Sequence, residues 1–194
     1  MTSRQKLRKT LRSKRRALSP NQQCTAAKKL LRNIRLRNDF RRSKHIAMYL
    51  ANDGEINPIP IIKHCWKMGK TVYLPVLHPI LHNRLWFVPY TPSSPMVRNI
   101  YGIKEPRLLP DTRRPAWSLQ MVLLPLVGFD NDGNRMGMGG GYYDRTFSFK
   151  AQRNGLRGPT LIGLAHEIQR VEKLPVESWD IPLTAIISDA GCYP

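Results

Sequence analysis

"QMVLLPLVGFDNDGNRMGMGGGYYDR", residues 120–145, joins the most apolar run of the chain to its most glycine-rich one. From 121 to 129 the residues are continuously apolar rather than alternating, the pattern of a strand buried on both faces of a sheet. Gly137, Gly139, Gly140 and Gly141 then crowd four glycines into five positions, and the character changes at once to Tyr142, Tyr143, Asp144 and Arg145. A buried strand that runs into bare backbone and then into residues able to start a helix is the layout of an open α/β sheet. In such sheets ligands collect outside the carboxyl ends of the strands.

Moving outward, "HIAMYL" (45–50), "KTVYLPVL" (70–77), "RLWFVPY" (84–90), "PTLIGLAH" (159–166) and "LTAIIS" (183–188) read as further strands. Between the first two, "NPIPIIKHCWKMG" (57–69) offers Asn57 as cap, Pro58 at the first helical position and Gly69 as terminator, so a helix fills the gap. "RQKLRKTLRSKRRALS" (4–19) sets Leu7, Leu11 and Leu18 on one stripe of an amphipathic basic helix. Ser19, Pro20 and Gln22 then have capping-box spacing for a second helix carrying Ala26, Ala27, Leu30, Leu31 and Ile34. Proline-rich "TPSSP" (91–95) is a loop. Strands alternating with helices predict an α/β fold in one domain, 1–194, with three layers: a mostly parallel sheet, helices on both faces, and a basic N-terminal helix.

The formal net charge is +19, but residues 1–44 hold 16 Lys and Arg against Asp39 alone. The charge is a property of the head, which suits phosphate-rich ligands. Beyond Arg8 the bases of the head read as a solvated face. No apolar run approaches the roughly 20 residues of a membrane helix, and no secretory signal is legible, so the expected partner is a small molecule and not a membrane. Cys24, Cys65 and Cys192 are widely spaced without a CxxC, which fits a reducing cytoplasm and neither a disulfide framework nor a zinc site.

The glycine loop can bring backbone N–H groups close to an anion because no Cβ intervenes. Gly137-x-Gly139 begins a dinucleotide fingerprint, but the sixth position is Tyr142, and no GxxxxGK[ST] is present. Asp144 has the chemistry to hold a divalent cation, Arg145 to contact phosphate, and the tyrosines to flank a planar ligand. Each residue also has a plainer reading. Asp144 is an acid at a helix start, Asp180 a turn residue before Pro182, Glu55 a solvated loop charge and Leu50 a core residue at a strand end. Trp66, Trp86, Trp117 and Trp179 read as packing, and Arg107, Arg113 and Arg114 as plain surface.

"LPLVGFDNDGNRMGMGGGYYDR" resembles the signature of the 5-formyltetrahydrofolate cyclo-ligase (5,10-methenyltetrahydrofolate synthetase) family. "KLRKTLRSKRRALS", "MYLANDGEINPIPIIKHCWKMGKTVYLPVL", "YGIKEP" (101–106) and "LIGLAHEIQRVEKLPVESWDIPLTAIIS" resemble its other segments, in the right order over nearly the whole chain. The resemblance implies ATP- and Mg²⁺-dependent cyclisation of 5-formyltetrahydrofolate through an N5-iminium phosphate, with ADP and phosphate released. It places the nucleotide on Arg4, Gln5, Lys6, Leu7, Arg8, Arg135, Met136 and the stretch Gly137, Met138, Gly139, Gly140, Gly141, Tyr142 and Tyr143. Leu50, Glu55 and the loop from Met138 to Tyr142 fall to the folate, Asp144 and Asp180 to the metal, and Tyr143 and Arg145 to catalysis. A cytoplasmic monomer is expected. Two loop positions that the family often fills with a base are Met138 and Gly140 here, and a frequent histidine before Asp180 is Trp179. The basic charge must then come from Arg135, Arg145 and the head. A nucleic-acid-binding protein led by residues 1–44 is the second reading, and an ATP-dependent transferase with another acceptor the third.

Overall fold

The computed structural model describes residues 2–109, 112–152, 158–177 and 179–194. Its first two helices each begin on a reciprocal cap. In α1 (Ser3–Arg16) the Thr2 hydroxyl accepts from Gln5 N while the Gln5 side chain accepts from Thr2 N. In α2 (Pro20–Arg35) Ser19 and Gln22 do the same, as their spacing predicts. After a short α3 (Asn38–Arg42), β1 (His45–Ala47) and β2 (Thr71–Leu77) flank α4 (Ile59–Lys67). The N-cap of this helix is Pro58, one residue later than expected, and Asn57 Oδ1 accepts from Ile59 N at 3.0 Å just ahead of it.

Next come β3 (Leu85–Pro89), a hairpin of β4 (Met96–Arg98) and β5 (Lys104–Pro106), then β6 (Met121–Pro125). A second hairpin, β7 (Gly128–Phe129) and β8 (Arg135–Met136), leads into the glycine loop and the short α5 (Tyr142–Thr146) and α6 (Phe149–Gln152). The chain closes with β9 (Thr160–Ala165), β10 (Ala185–Ser188) and β11 (Cys192–Tyr193).

The main sheet has seven strands in the order β11-β10-β9-β6-β1-β2-β3. The five from β10 to β2 are parallel, and the edge strands β3 and β11 run antiparallel. One face is covered by α2, α3 and α4 through Leu30, Ile34, Phe40, Ile61 and Cys65, packed on Ile46, Val72, Leu123 and Ile162. The opposite face, with Ala47, Val122, Leu124 and Leu161, is closed by Phe147, Phe149, Tyr143 and Ile181 from short helices and loops. The two helical layers are therefore unequal, the second being thin.

Two sequence expectations change in detail. The run 120–130 is not one strand, because the backbone breaks between β6 and β7 at Leu126 and Val127. Gln169 Nε2 donates to both of those carbonyls, at 2.8 and 3.0 Å, and so holds the bend. Of "HIAMYL" only the first three residues are strand, and Tyr49 instead donates its hydroxyl to Ile56 O at 2.8 Å across the following loop.

The strand order reverses at β1: β2 lies on one side and β6 on the other. The loops leaving the carboxyl ends of β1 and β6 diverge there, opening the crevice where such sheets bind ligands.

Candidate active site

The loop after β1 turns on "NDGE", residues 52–55. Glu55 N donates to Asn52 O at 3.0 Å, and the central pair Asp53 and Gly54 have φ of +52° and +74°, the φ pattern of a type I′ turn. Gly54 is needed twice over: its φ is left-handed, and a Cβ would stand 3.0 Å from the Arg15 carbonyl oxygen. The turn is thus seated on the end of α1. Asp53 receives Arg12 at 2.8 Å, Arg15 at 2.8 Å and Arg16. Burial pushes its carboxyl up, but the hydrogen bonds from Arg12, Arg16 and Arg15 win and hold it at about 2. Glu55 shows the opposite balance. Burial pushes its carboxyl up to about 7, against the pull of Arg15 and of the Asn52 N–H that it accepts at 3.1 Å.

The loop after β6 is shaped by Asp130. This fully buried carboxylate accepts from Asp132 N, Asn134 N, Asn134 Nδ2 and Leu174 N at 2.9–3.1 Å, which closes the β7–β8 hairpin. The hairpin delivers Arg135 and then the glycines. Arg8 Nε donates to Gly137 O at 2.9 Å, and its guanidinium lies beneath Gly139, whose φ is +100°. Arg145 donates to Gly140 O at 2.8 Å. Arg135, nearly buried, pairs with Asp144, and its Nε has no hydrogen-bond partner among the described residues. The bases absent from Met138 and Gly140 are therefore replaced around the loop by arginines from α1, β8 and α5.

These segments enclose a cleft of about 1110 Å³. Of the residues singled out above, the cleft brings together Arg4, Gln5, Arg8, Leu50, Glu55, Arg135, the run from Gly137 to Arg145, and Asp180. It does not bring in Lys6, which is exposed, Leu7, which is half-buried, or Met136, which is buried in β8. Asp144 Oδ1 accepts from Ile181 N at 3.2 Å, so it sits beside the segment carrying Asp180. Asp180 itself pairs with Arg4 at 3.3 Å. Among the described residues no group of three or more His, Cys, Asp or Glu could hold a metal unaided. Two carboxylates still fit Mg²⁺, which keeps waters and completes its shell with substrate phosphates. The Tyr142 hydroxyl meets that of Tyr101 at 2.7 Å, and burial followed by this contact pushes it up to about 12. Burial, then Glu55, raises the Tyr143 phenol well above its ordinary value, so it stays protonated.

Several residues depart from their expected roles. Arg12, Arg15 and Arg16 are not a solvated face but the clamp on Asp53. Trp179 is 66% exposed and lines the cleft instead of packing, and Trp117 is also exposed. Arg114 donates to Ser118 O and Tyr73 OH and so is not plain surface, while Arg113 is exposed as expected and lies over Trp86 at 4.3 Å. Tyr101, on the β4–β5 hairpin, also joins the cleft, a role that the YGIKEP segment did not single out. Arg15 and Asp53 carried one available signal, an Asp-Gly turn in a chain with 32 Lys and Arg against 13 acids.

A sequence model described as the 5-formyltetrahydrofolate cyclo-ligase family matches residues 1–189. The 5-formyltetrahydrofolate cyclo-ligase of Haemophilus influenzae is 40% identical over 184 residues, covering 95% of this chain and 96% of its own. That of Escherichia coli is 41% identical over 187 residues, covering 94% and 98%. An NMR structure of Aquifex aeolicus 5,10-methenyltetrahydrofolate synthetase superposes with a TM-score of 0.81 at 27% identity, covering 99% of this chain and 92% of that one. No helix among the described residues is long and apolar enough to cross a membrane. With the glycine loop, the Glu55 turn and the paired carboxylates meeting in one cleft, and with relatives matching along almost its whole length, the chain belongs to the 5-formyltetrahydrofolate cyclo-ligase family.

Proposed function

We propose that this cleft takes ATP and 5-formyltetrahydrofolate side by side and joins N10 to the formyl carbon at the expense of the γ-phosphate. The observation that carries the reading is the convergence, in one cleft, of a glycine loop ringed by Arg8, Arg135 and Arg145 with a Glu-bearing turn on the opposite wall. A formyl oxygen on N5 is a poor leaving group. Attack of that oxygen on the γ-phosphorus, with ADP departing, gives an N5-iminium phosphate. N10 then attacks the formyl carbon and loses its proton, and the carbon–oxygen bond breaks to release phosphate. Such transfers need positioning and charge neutralisation more than covalent help from the protein.

In this scheme the loop amides and Arg8, Arg145 and Arg135 hold the phosphates, with Arg4 and Gln5 at the rim. Arg135 Nε is a buried donor without an acceptor, and a phosphate oxygen would satisfy it. Asp144 and Asp180 would hold Mg²⁺, which when bound neutralises charge on the β- and γ-phosphates. Each of these carboxylates is already matched by an arginine, Arg135 and Arg4 respectively. Arg135 and Arg4 could thus pass to phosphate oxygens while Asp144 and Asp180 held the metal, leaving no charge unpaired. Leu50 and Tyr142 would face the pterin, and the Glu55 carboxylate would accept from its ring N–H groups. Tyr143, held protonated, can donate a hydrogen bond but cannot act as a base.

Mixing the protein with Mg-ATP and 5-formyltetrahydrofolate should produce the methenyl chromophore. Folded protein that yields none overturns the reading. The nucleic-acid alternative draws on the basic head, yet Arg4, Arg8, Arg12, Arg15, Arg16 and Arg37 of that head are engaged within the protein.

A further inference from the structure

Among the described residues two charged side chains are fully buried, Asp130 and Arg15. Asp130 spends its hydrogen bonds on its own hairpin and on Leu174. Arg15 reaches segments that are otherwise separate. Its Nε donates to Asp53 O at 2.8 Å, one terminal nitrogen to Leu126 O at 3.1 Å, and the other to Asp53 Oδ2 at 2.8 Å. That last nitrogen also lies 3.9 Å from Met138 Sδ, within the glycine loop, and 3.7 Å from Glu55 Oε1. One guanidinium therefore touches the turn that presents Glu55, the end of β6, and the glycine loop.

Burying a guanidinium is costly, and an apolar side chain would fill the same space more cheaply. What only arginine supplies there is a rigid fork with donors in several directions. We propose that Arg15 is a positioning residue that sets the Glu55 turn and the glycine loop in one mutual register, so that the folate and nucleotide halves of the cleft are coupled and each ligand binds more tightly when the other is present. The inference rests on the reading of those two halves given above, and coupling of this kind is reciprocal by linkage.

The local wiring makes the idea testable without unfolding the protein. In Arg15→Met, Asp53 keeps Arg12 and Arg16, and Leu126 O keeps Gln169 Nε2. The side chain retains its apolar stem, while the ties to the Glu55 turn and to Met138 are lost. Two measurements follow. The first is amide hydrogen exchange at residues 52–55 in the free protein, where Arg15→Met should exchange about tenfold faster or more, the effect of losing charge-assisted hydrogen bonds. The second is equilibrium binding of 5-formyltetrahydrofolate with and without a non-hydrolysable ATP analogue. The analogue should tighten folate binding to the wild type by about fivefold or more, and to Arg15→Met by less than about twofold. Arg15→Lys, whose single ammonium cannot reach all three segments, should recover only part of the coupling. Should Arg15→Met fail to fold, Arg15→Lys decides on the same two readouts.

Unchanged exchange at 52–55, or coupling retained in the variants, overturns the proposal, as does a wild type that binds folate equally with and without the analogue. A wild type that binds no folate sinks the folate reading instead, and the exchange measurement still decides whether Arg15 holds the turn.

Discussion

Replacing Arg8 by alanine removes the latch between α1 and the glycine loop. The lost contact is a charge-assisted bond, Arg8 Nε to Gly137 O at 2.9 Å, beneath Gly139 at φ +100°. Hydrogen bonds to charged groups contribute about 1.5–3 kcal/mol, and partial exposure of this one discounts the figure to about 1–2 kcal/mol. Global stability should hardly change. Burial and repulsion from Arg4 and Arg12 already lower the guanidinium's hold on its proton, with Asp180 pulling the other way, so deletion also relieves crowding. The loss should therefore fall on ATP: its KM should rise about fivefold to thirtyfold, while the KM for folate moves less than about twofold. Folate is spared because the Glu55 turn is held by Arg12, Arg15 and Arg16 instead. Steady-state formation of the methenyl chromophore, with each substrate varied at saturating levels of the other, separates the two. An unchanged ATP KM, or equal rises in both, would refute the latch.

Asp144→Asn should cut kcat/KM at low Mg²⁺ by about a hundredfold or more, with partial rescue as Mg²⁺ is raised, since an electrostatic contact is lost but the shape is kept. It should also lower stability by about 1–3 kcal/mol, because Arg135, with a side chain only 6% exposed, loses its counter-charge. Near-normal activity at low Mg²⁺ would return Asp144 to a helix-start acid. Glu55 carries a pH signature: its carboxyl stands at about 7 in the folded chain against 4.5 in the unfolded one. The folded state therefore holds the extra proton, and this contribution is fully present below 4.5 and drains away as pH rises through about 7. Denaturant titrations at about pH 5 and about pH 8 should show Glu55→Gln gaining about 2–3 kcal/mol on the wild type at the higher pH. A constant difference would place Glu55 in solvent. Gly54→Ala forces a Cβ into left-handed backbone and to 3.0 Å from Arg15 O, so it should cost about 1–3 kcal/mol in the same assay. A cost below about 0.5 kcal/mol, within the range of ordinary surface changes, would count against the seating of the turn on α1.

What was legible in the sequence was what is decided locally. Ser19 and Gln22 cap α2 because the partners are three residues apart, and Gly69, at φ +68°, ends α4 as a terminating glycine should. Continuous apolar runs gave the parallel strands because both faces of β6, β9 and β10 are buried. What escaped depends on distant partners. Leu126 and Val127 are as apolar as β6, and Pro125 alone marks the break that follows it; Gln169 and Arg15 hold the bend from afar. The antiparallel sense of β3 and β11 depends on their neighbours in the sheet and not on their own residues. Arg12, Arg15 and Arg16 looked like solvated charge because their counter-charge, Asp53, lies 37 to 41 positions away. The glycine loop and Glu55 were visible through resemblance; the arginines that hold them became visible only in the fold.

In the proposed reaction the formyl oxygen leaves with the γ-phosphoryl group. Supplying 5-formyltetrahydrofolate labelled with ¹⁸O in the formyl group, together with Mg-ATP, and weighing the released phosphate by mass spectrometry tests it directly. Methenyltetrahydrofolate should form in step with phosphate carrying one labelled oxygen. Methenyl product accompanied by unlabelled phosphate, with the label in water, would contradict it.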